Sequence, residues 1–193
     1  MEVAGRSLLC HQLELLKDFL EIRIVVGFME DEVVREALRH RRDIVFVRNS
    51  NYRNTTNVES IYLATRDLSH GFIVIDGDLW IEPCSFDNFL QNVTLNQSLI
   101  GITKAKSEEA IYVESDSGLE IHSFQLSPPT PFEWSGVAYL QNLEFSPNLQ
   151  GFVYKLLEPY LPLPSVILES WEVDTPKDLE KLRTYLLSNH EGG

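Results

Sequence analysis

A chain of 193 residues is one domain's worth, and with 44% hydrophobic and 23% charged residues its composition is globular rather than disordered. The 16 Lys and Arg against 29 Asp and Glu leave a formal charge of −13, which argues against a nucleic acid or an anionic membrane as partner, since both need a basic footprint. A chain of this size buries about 70% of its unfolded surface, so its core needs no disulfide or metal staple. Cys10 and Cys84 form no C-x-x-C pair and no metal spacing, which reads as two reduced thiols. The apolar runs are far short of a membrane span and no N-terminal stretch has the form of a secretory signal. The expectation is a cytoplasmic protein, in which the N-x-[ST] sequons at Asn54, Asn92 and Asn96 are coincidental.

Leu9, Leu13, Leu16 and Leu20 recur at helical spacing and predict an amphipathic helix from Ser7 to Leu20. Ile22 to Val26 is a nearly continuous β-branched run, the pattern of a strand buried on both faces. A helix follows over 30–40, its first turn carrying Glu30, Asp31 and Glu32 to suit the positive end of the dipole. Ile44–Val47 is a second strand, 56–68 a helix, and Phe72–Ile75 a third buried strand that ends in Asp76-Gly77-Asp78. This alternation predicts a mainly parallel sheet covered by helices, with the three strands as parallel neighbours. Beyond Phe86, strands are expected over 99–103, 110–113, 119–124 and 134–140, with a hairpin turn at Asp116-Ser117-Gly118. A helix over 149–160, a strand over 165–173 and a last helix complete the chain. That last helix has Thr175 as N-cap, Pro176 at its first position and Asp178 three residues after the cap. One domain over 1–188 and a polar tail over 189–193 are expected.

Ligands of open α/β sheets bind at the carboxyl ends of strands, where Asp76, Asp78 and Asp174 stand. Two carboxylates about 4 Å apart repel by roughly 4 kcal/mol at an effective dielectric of 20. Gathered together they need a cation, and oxygen-only ligands suit Mg²⁺. The plainer alternative is a turn cap at Asp76 and a helix N-terminus opposed by Asp174, and the two-residue spacing alone does not decide between them.

A series of segments adds weight. Gly5-Arg6-Ser7-Leu8-Leu9 with Gln12-Leu13-Glu14, Ile24 to Phe28, Asn49 to Tyr52 with Thr56-Asn57-Val58-Glu59-Ser60, Asp76-Gly77-Asp78, Glu133-Trp134-Ser135-Gly136-Val137, and Trp171 through Asp174-Thr175-Pro176 to Leu179 occur in this order. Together they resemble the nucleotidyltransferases of sugar phosphates and phosphocholine, most of all the phosphocholine cytidylyltransferase type. The resemblance implies a Rossmann-like (GT-A-like) three-layer α/β/α fold with a mixed, mainly parallel sheet. It implies Mg²⁺ held by Asp78 and Asp174, which would be the catalytic pair, with Asp76 in support. Arg6, Asn57, Glu133, Gly136 and Trp171 match positions near the substrate or nucleotide. The implied reaction is transfer of a nucleotidyl group from an NTP, CTP being one choice, to a small phosphorylated substrate, with release of pyrophosphate. A homo-oligomer is compatible with it.

The strand and glycine-rich loop, G-x-G-x-R, with which such chains begin are absent from this sequence, so the resemblance implies an N-terminally truncated form. Two readings stand: an enzyme whose turnover in this form is low, and a nucleotide- or metabolite-binding relative without turnover. The missing strand would lie between Ile22–Val26 and Phe72–Ile75 and leave both edges unpaired. Arg6, Arg48, Arg53, Lys104 and Lys106 remain as positive groups, each more simply read as a solvated charge. Tyr52, Tyr62, Trp80, Trp134 and Trp171 offer faces for a quaternary ammonium, though aromatics in such a domain are more often core. The five histidines form no zinc motif, and no G-x-S-x-G marks a serine nucleophile.

Overall fold

Strand and helix alternate from the first residues, as the switching of hydrophobic period from 2 to 3.6 requires. In the computed structural model, residues 2–107, 110–143 and 151–190 are described. The first half comprises β1 (Glu2–Val3), β2 (Arg6–Ser7), α1 (Leu8–Leu15), β3 (Ile22–Val26), α2 (Glu30–His40), β4 (Ile44–Arg48), α3 (Asn57–Thr65) and β5 (Phe72–Ile75). The second comprises β6 (Leu79–Ile81), α4 (Pro83–Asn92), β7 (Leu99–Lys104), β8 (Tyr112–Ser115), β9 (Glu120–Gln125), β10 (Phe132–Leu140), α5 (Val153–Leu157), β11 (Leu163–Ile167), β12 (Ser170–Glu172) and α6 (Pro176–His190).

A six-stranded sheet in the order β5-β10-β7-β11-β9-β8 forms the middle layer. Its strands alternate between faces. Phe72, Val74, Ala138, Leu140, Ile100 and Ile102 pack towards α3 and α5, through Ile61, Val153, Tyr154 and Leu157. Ile73, Ile75, Val137, Tyr139 and Leu99 pack the other way, against Phe86 and Phe89 of α4 and Leu15 of α1. Helices on both faces of a sheet give the expected three-layer α/β/α architecture.

The sheet is mixed, but less parallel than expected. Among the described residues only β7 with β11, and β3 with β4, form parallel ladders, while β10 runs antiparallel to β5, β7 and β8. The reason is local: hairpins such as β8–β9 reverse the chain, whereas the first half crosses over through helices. β3 and β4 are parallel neighbours as expected, in full register from Ile22–Ile44 to Val26–Arg48. They form a sheet of their own, and β5 does not join them. Among the described residues β3 has β4 as its one ladder partner and β5 has β10. Leu16 and Phe19, just past α1, pack against both β5 and the β3–β4 layer and span the interval.

Several boundaries differ from expectation. α1 stops at Leu15 with Leu16 as C-cap, so Leu20 falls out of helical phase and is 98% exposed. The run over 165–173 splits into β11, paired with β7, and β12, paired with β6. At the break, Leu168 N still donates to Ile102 O, while Glu169 O accepts from Glu82 N. β6 and α4 were not anticipated. In α4 the N-cap is a glutamate, Glu82, whose carboxylate accepts from Cys84 N and Ser85 N at 3.1 and 2.6 Å. The expected helix start at Leu149 lies outside the described residues, and the observed helix begins at Val153. α6 runs through 189–190, where a tail was expected, and 191–193 lie outside the described residues. Its N-terminus is the expected reciprocal cap: Asp178 N donates to Thr175 Oγ1, and Thr175 N and Oγ1 donate to Asp178 Oδ2. Asp116 Oδ1 accepts from Gly118 N at 2.8 Å, which closes the β8–β9 hairpin where the turn was expected.

Candidate active site

β5 delivers Asp76-Gly77-Asp78 at its carboxyl end, and β6 follows at once. β6 pairs antiparallel with β12, with Trp80 opposite Trp171 and Leu79 opposite Glu172. One more bond, Val173 N to Asp78 O at 3.0 Å, extends this ribbon to the loop itself. Asp78 and Asp174, far apart in sequence, are thereby placed side by side. Glu172 joins them, because residues two apart in an extended chain share a side. Oxygens of Asp78, Glu172 and Asp174 all lie within 4.8 Å of one another.

The electrostatics are those of carboxylates crowded together. Each pair of charges at such a separation repels by about 3–4 kcal/mol at an effective dielectric of 20. Burial, and then the charge of Asp78, pushes the Asp76 carboxyl up to about 7, against a hydrogen bond from Trp134. Glu172 is also pushed up to about 7, by desolvation first and then by Asp78, Asp174, Asp76 and Glu133. Asp78 is raised by burial, with its own backbone amide opposing and Asp174 adding to the rise. Its Oδ1 is buried with no hydrogen-bond partner. An orphaned carboxylate oxygen costs stability unless something positive meets it. The donor set is all oxygen, which fits a hard divalent ion such as Mg²⁺ rather than a thiophilic one.

The surroundings hold this loop in place. Gln12 of α1, itself buried, donates its Nε2 to Asp76 O and Leu79 O at 2.9 and 3.0 Å. Gly136 has φ +77, and its carbonyl accepts from Asp76 N. A Cβ there would stand 2.6 Å from Leu79 Cδ1 and 3.1 Å from Asp76 Oδ2, so glycine is required for both conformation and space. Glu133 is 3% exposed and works as a loop clamp: Oε2 accepts from Lys106 N and Ser107 N, and Oε1 from Ser107 Oγ at 2.7 Å. The clamp presents Lys106, whose Nζ bonds Glu169 at 2.8 Å and lies 4.2 Å from the centre of the Trp171 ring. Glu133→Ala should therefore cost about 1–3 kcal/mol in a urea titration, because the two amides lose a buried acceptor.

The other expected residues are placed differently. Arg6 is engaged with Cys10 Sγ and lies 3.8 Å from Glu14. Asn57 is the exposed first residue of α3, with Thr56 as N-cap. Trp171 keeps a buried, unpartnered Nε1, but Lys106 and Tyr185 stand against its ring. Trp80 packs on Tyr185, Trp134 on Phe124, and Tyr52 carries Arg53. These faces are taken by the protein's own groups rather than offered to a quaternary ammonium. Arg48 is paired with Glu30. Glu172, Gln12 and Lys106 were not assigned to the site from sequence.

Comparison with known proteins bears on the fold. No protein-family model and no curated protein matches the sequence. Among solved structures, the CTP:phosphocholine cytidylyltransferase from Streptococcus pneumoniae superposes with a TM-score of 0.72 at 18% identity, over 96% of this chain and 87% of the other. The inositol-1-phosphate CTP transferase from T. maritima gives 0.77 at 17%, over 100% and 86%. The 4-diphosphocytidyl-2C-methyl-D-erythritol synthase from Anaerococcus prevotii gives 0.65 at 19%, over 96% and 88%. The chain has the Rossmann-like α/β fold of these nucleotidyltransferases.

Proposed function

We propose that this chain is a Mg²⁺-dependent nucleotidyltransferase acting on an NTP and a small phosphorylated substrate. The observation that carries the reading is the buried, unpartnered Asp78 Oδ1 set among Glu172 and Asp174 oxygens on a fold shared with such enzymes. Asp78 and Asp174 would hold the ion with Glu172 as a third oxygen donor, and the ion, when bound, supplies positive charge to the nucleotide phosphates. Lys106 holds a cation against the neighbouring Trp171 ring, fixed there by Glu169. Gln12 and Gly136 keep the Asp76–Asp78 loop from moving as charge develops. The acceptor phosphate attacks the α-phosphorus, and pyrophosphate leaves; the protein's contribution is positioning and charge neutralisation. CTP as donor, and phosphocholine, a phosphonate or a sugar phosphate as acceptor, are the pairs to try first.

A second reading, nucleotide or metabolite binding without turnover, is favoured by one observation. Among the described residues nothing pairs with the free edges of β3 and β5, the place from which a phosphate-cradling loop would rise. Pyrophosphate release, measured with each NTP against phosphocholine, aminoethylphosphonate and hexose 1-phosphates, separates the two. One productive pair, silenced by EDTA and restored by Mg²⁺, is the expected result. Saturable nucleotide binding with no release from any pair would replace the enzyme by the binding protein.

A further inference from the structure

Away from the carboxylates, α1 and α2 bring four side chains to one point. Ser7, the N-cap of α1, accepts from Cys10 N at 3.2 Å and donates its Oγ to Glu36 Oε1 at 2.8 Å. The same Glu36 oxygen is 3.5 Å from His40 Nε2, and His40 Nδ1 is 3.4 Å from Cys10 Sγ. A carboxylate can only accept, so the tautomer that suits Glu36 carries its proton on Nε2, and in it Nδ1 is free to take the thiol proton. The Glu36 carboxyl is held below the ordinary carboxylate range, by Ser7 first and by Arg39 and His40 as well. A nucleophile, a base within reach and a third group that orients the base form a recognised arrangement for activating a side chain. Arg6 completes it: its Nε and Nη2, which can only donate, lie 3.2 and 3.0 Å from the sulfur.

Cys10 is 3% exposed, yet it lines a cavity of about 380 Å³ shared with Leu13, Lys17 and Arg41. Through that cavity the shielded sulfur is within reach of a small neutral molecule. Cys84 is the reverse: it is exposed on α4, and among the described residues no hydrogen bond to its sulfur is found. One chain thus carries a hidden thiol with a base and an exposed thiol without one.

We propose that Cys10 is a modification site, oxidised by hydrogen peroxide to a sulfenic acid with His40 as the base. The thiol proton passes to His40 Nδ1 as sulfur attacks one peroxide oxygen. The S–O bond forms, the O–O bond breaks, and the departing hydroxide takes the proton from His40 and leaves as water. Sulfur gives two electrons and peroxide accepts them, so the step balances with peroxide as the sole co-reactant. Arg6 is placed to donate to the new oxygen.

The test uses the intact chain, graded hydrogen peroxide, dimedone trapping and mass spectrometry of both cysteine peptides. Cys10 should be trapped about tenfold or more faster than Cys84, the scale of a modest general-base contribution. His40→Asn and Glu36→Ala should each slow Cys10 by about tenfold and leave the Cys84 rate unchanged. Three results would overturn the proposal: Cys84 reacting as fast as Cys10, a His40→Asn chain of unchanged melting temperature that keeps the Cys10 rate, or Cys10 trapping that rises only as the chain unfolds.

Discussion

Asp78→Asn should lower Mg²⁺-dependent pyrophosphate release by a factor of about 10²–10³ or more, the scale seen when one preorganised electrostatic group is lost at the transition state. The same substitution should raise stability without metal by about 1–2 kcal/mol, since it removes a partly buried charge whose Oδ1 has no partner and whose neighbours are carboxylates. Activity and stability moving in opposite directions is the diagnostic outcome. It is read from steady-state rates beside urea titrations in EDTA. With Mg²⁺ added, the unsubstituted chain should gain in melting temperature and the variant should not. If Asp78 were only a turn residue, both measurements would be nearly flat.

Phe86→Ala should be the most damaging change away from the chemistry, at about 3–5 kcal/mol. Phe86 is fully buried and stacks on Phe89 at 6.3 Å, in the cluster that also holds Ile73, Ile75, Leu79 and Val137. The ring deletion leaves a cavity directly beneath the strand ends that present Asp76 and Asp78. Typical domains have only about 5–15 kcal/mol to lose, so the variant should unfold at markedly lower urea, with the transition midpoint as the readout. A shift of less than about 1 kcal/mol would mean that the cluster closes over the gap.

The sequence offers Asp76, Asp78 and Asp174 because they follow apolar runs that cannot solvate them, and the family resemblance selects Asp78 and Asp174 as the pair. Glu172 carried the same signal and was passed over. Glu172-Val173-Asp174 repeats the two-residue spacing of Asp76-Gly77-Asp78 around a buried valine, so an extended backbone must place both carboxylates on one side. In the sequence Lys106 stands only as one of five positive groups, and Gln12 only within a family-like segment. Their placement depends on partners distant in sequence, Glu133 and Glu169 for the one and the Asp76 and Leu79 carbonyls for the other. The break at Leu168 and Glu169 falls where Glu169-Ser170 interrupts the apolar residues, a polar signal that the expected single strand over 165–173 ran through. Glu82 concealed α4 because a glutamate is an uncommon N-cap. By contrast Thr175-Pro176-Lys177-Asp178 announced α6 correctly, since every bond of that cap lies within four residues.

The free edges of β3 and β5 set how this molecule breathes. The layer of β3, α2 and β4 shares no ladder bond with the main sheet among the described residues. It is held by side-chain packing, through Leu16, Phe19 and a small cluster around Leu13, Ile22 and Ala37, and by side-chain hydrogen bonds such as Ser7 to Glu36, Arg41 to the Leu16 and Phe19 carbonyls and Arg23 to the Ala64 carbonyl. A unit tied on in that way opens at a free energy below that of global unfolding. Hydrogen exchange should then divide the molecule into two cooperative blocks, with the seam along α1, where the Cys10–His40 contact crosses it while Gln12 bonds the Asp76 and Leu79 carbonyls. Opening of the weaker block would part that contact and leave the aspartates on the block that stays closed.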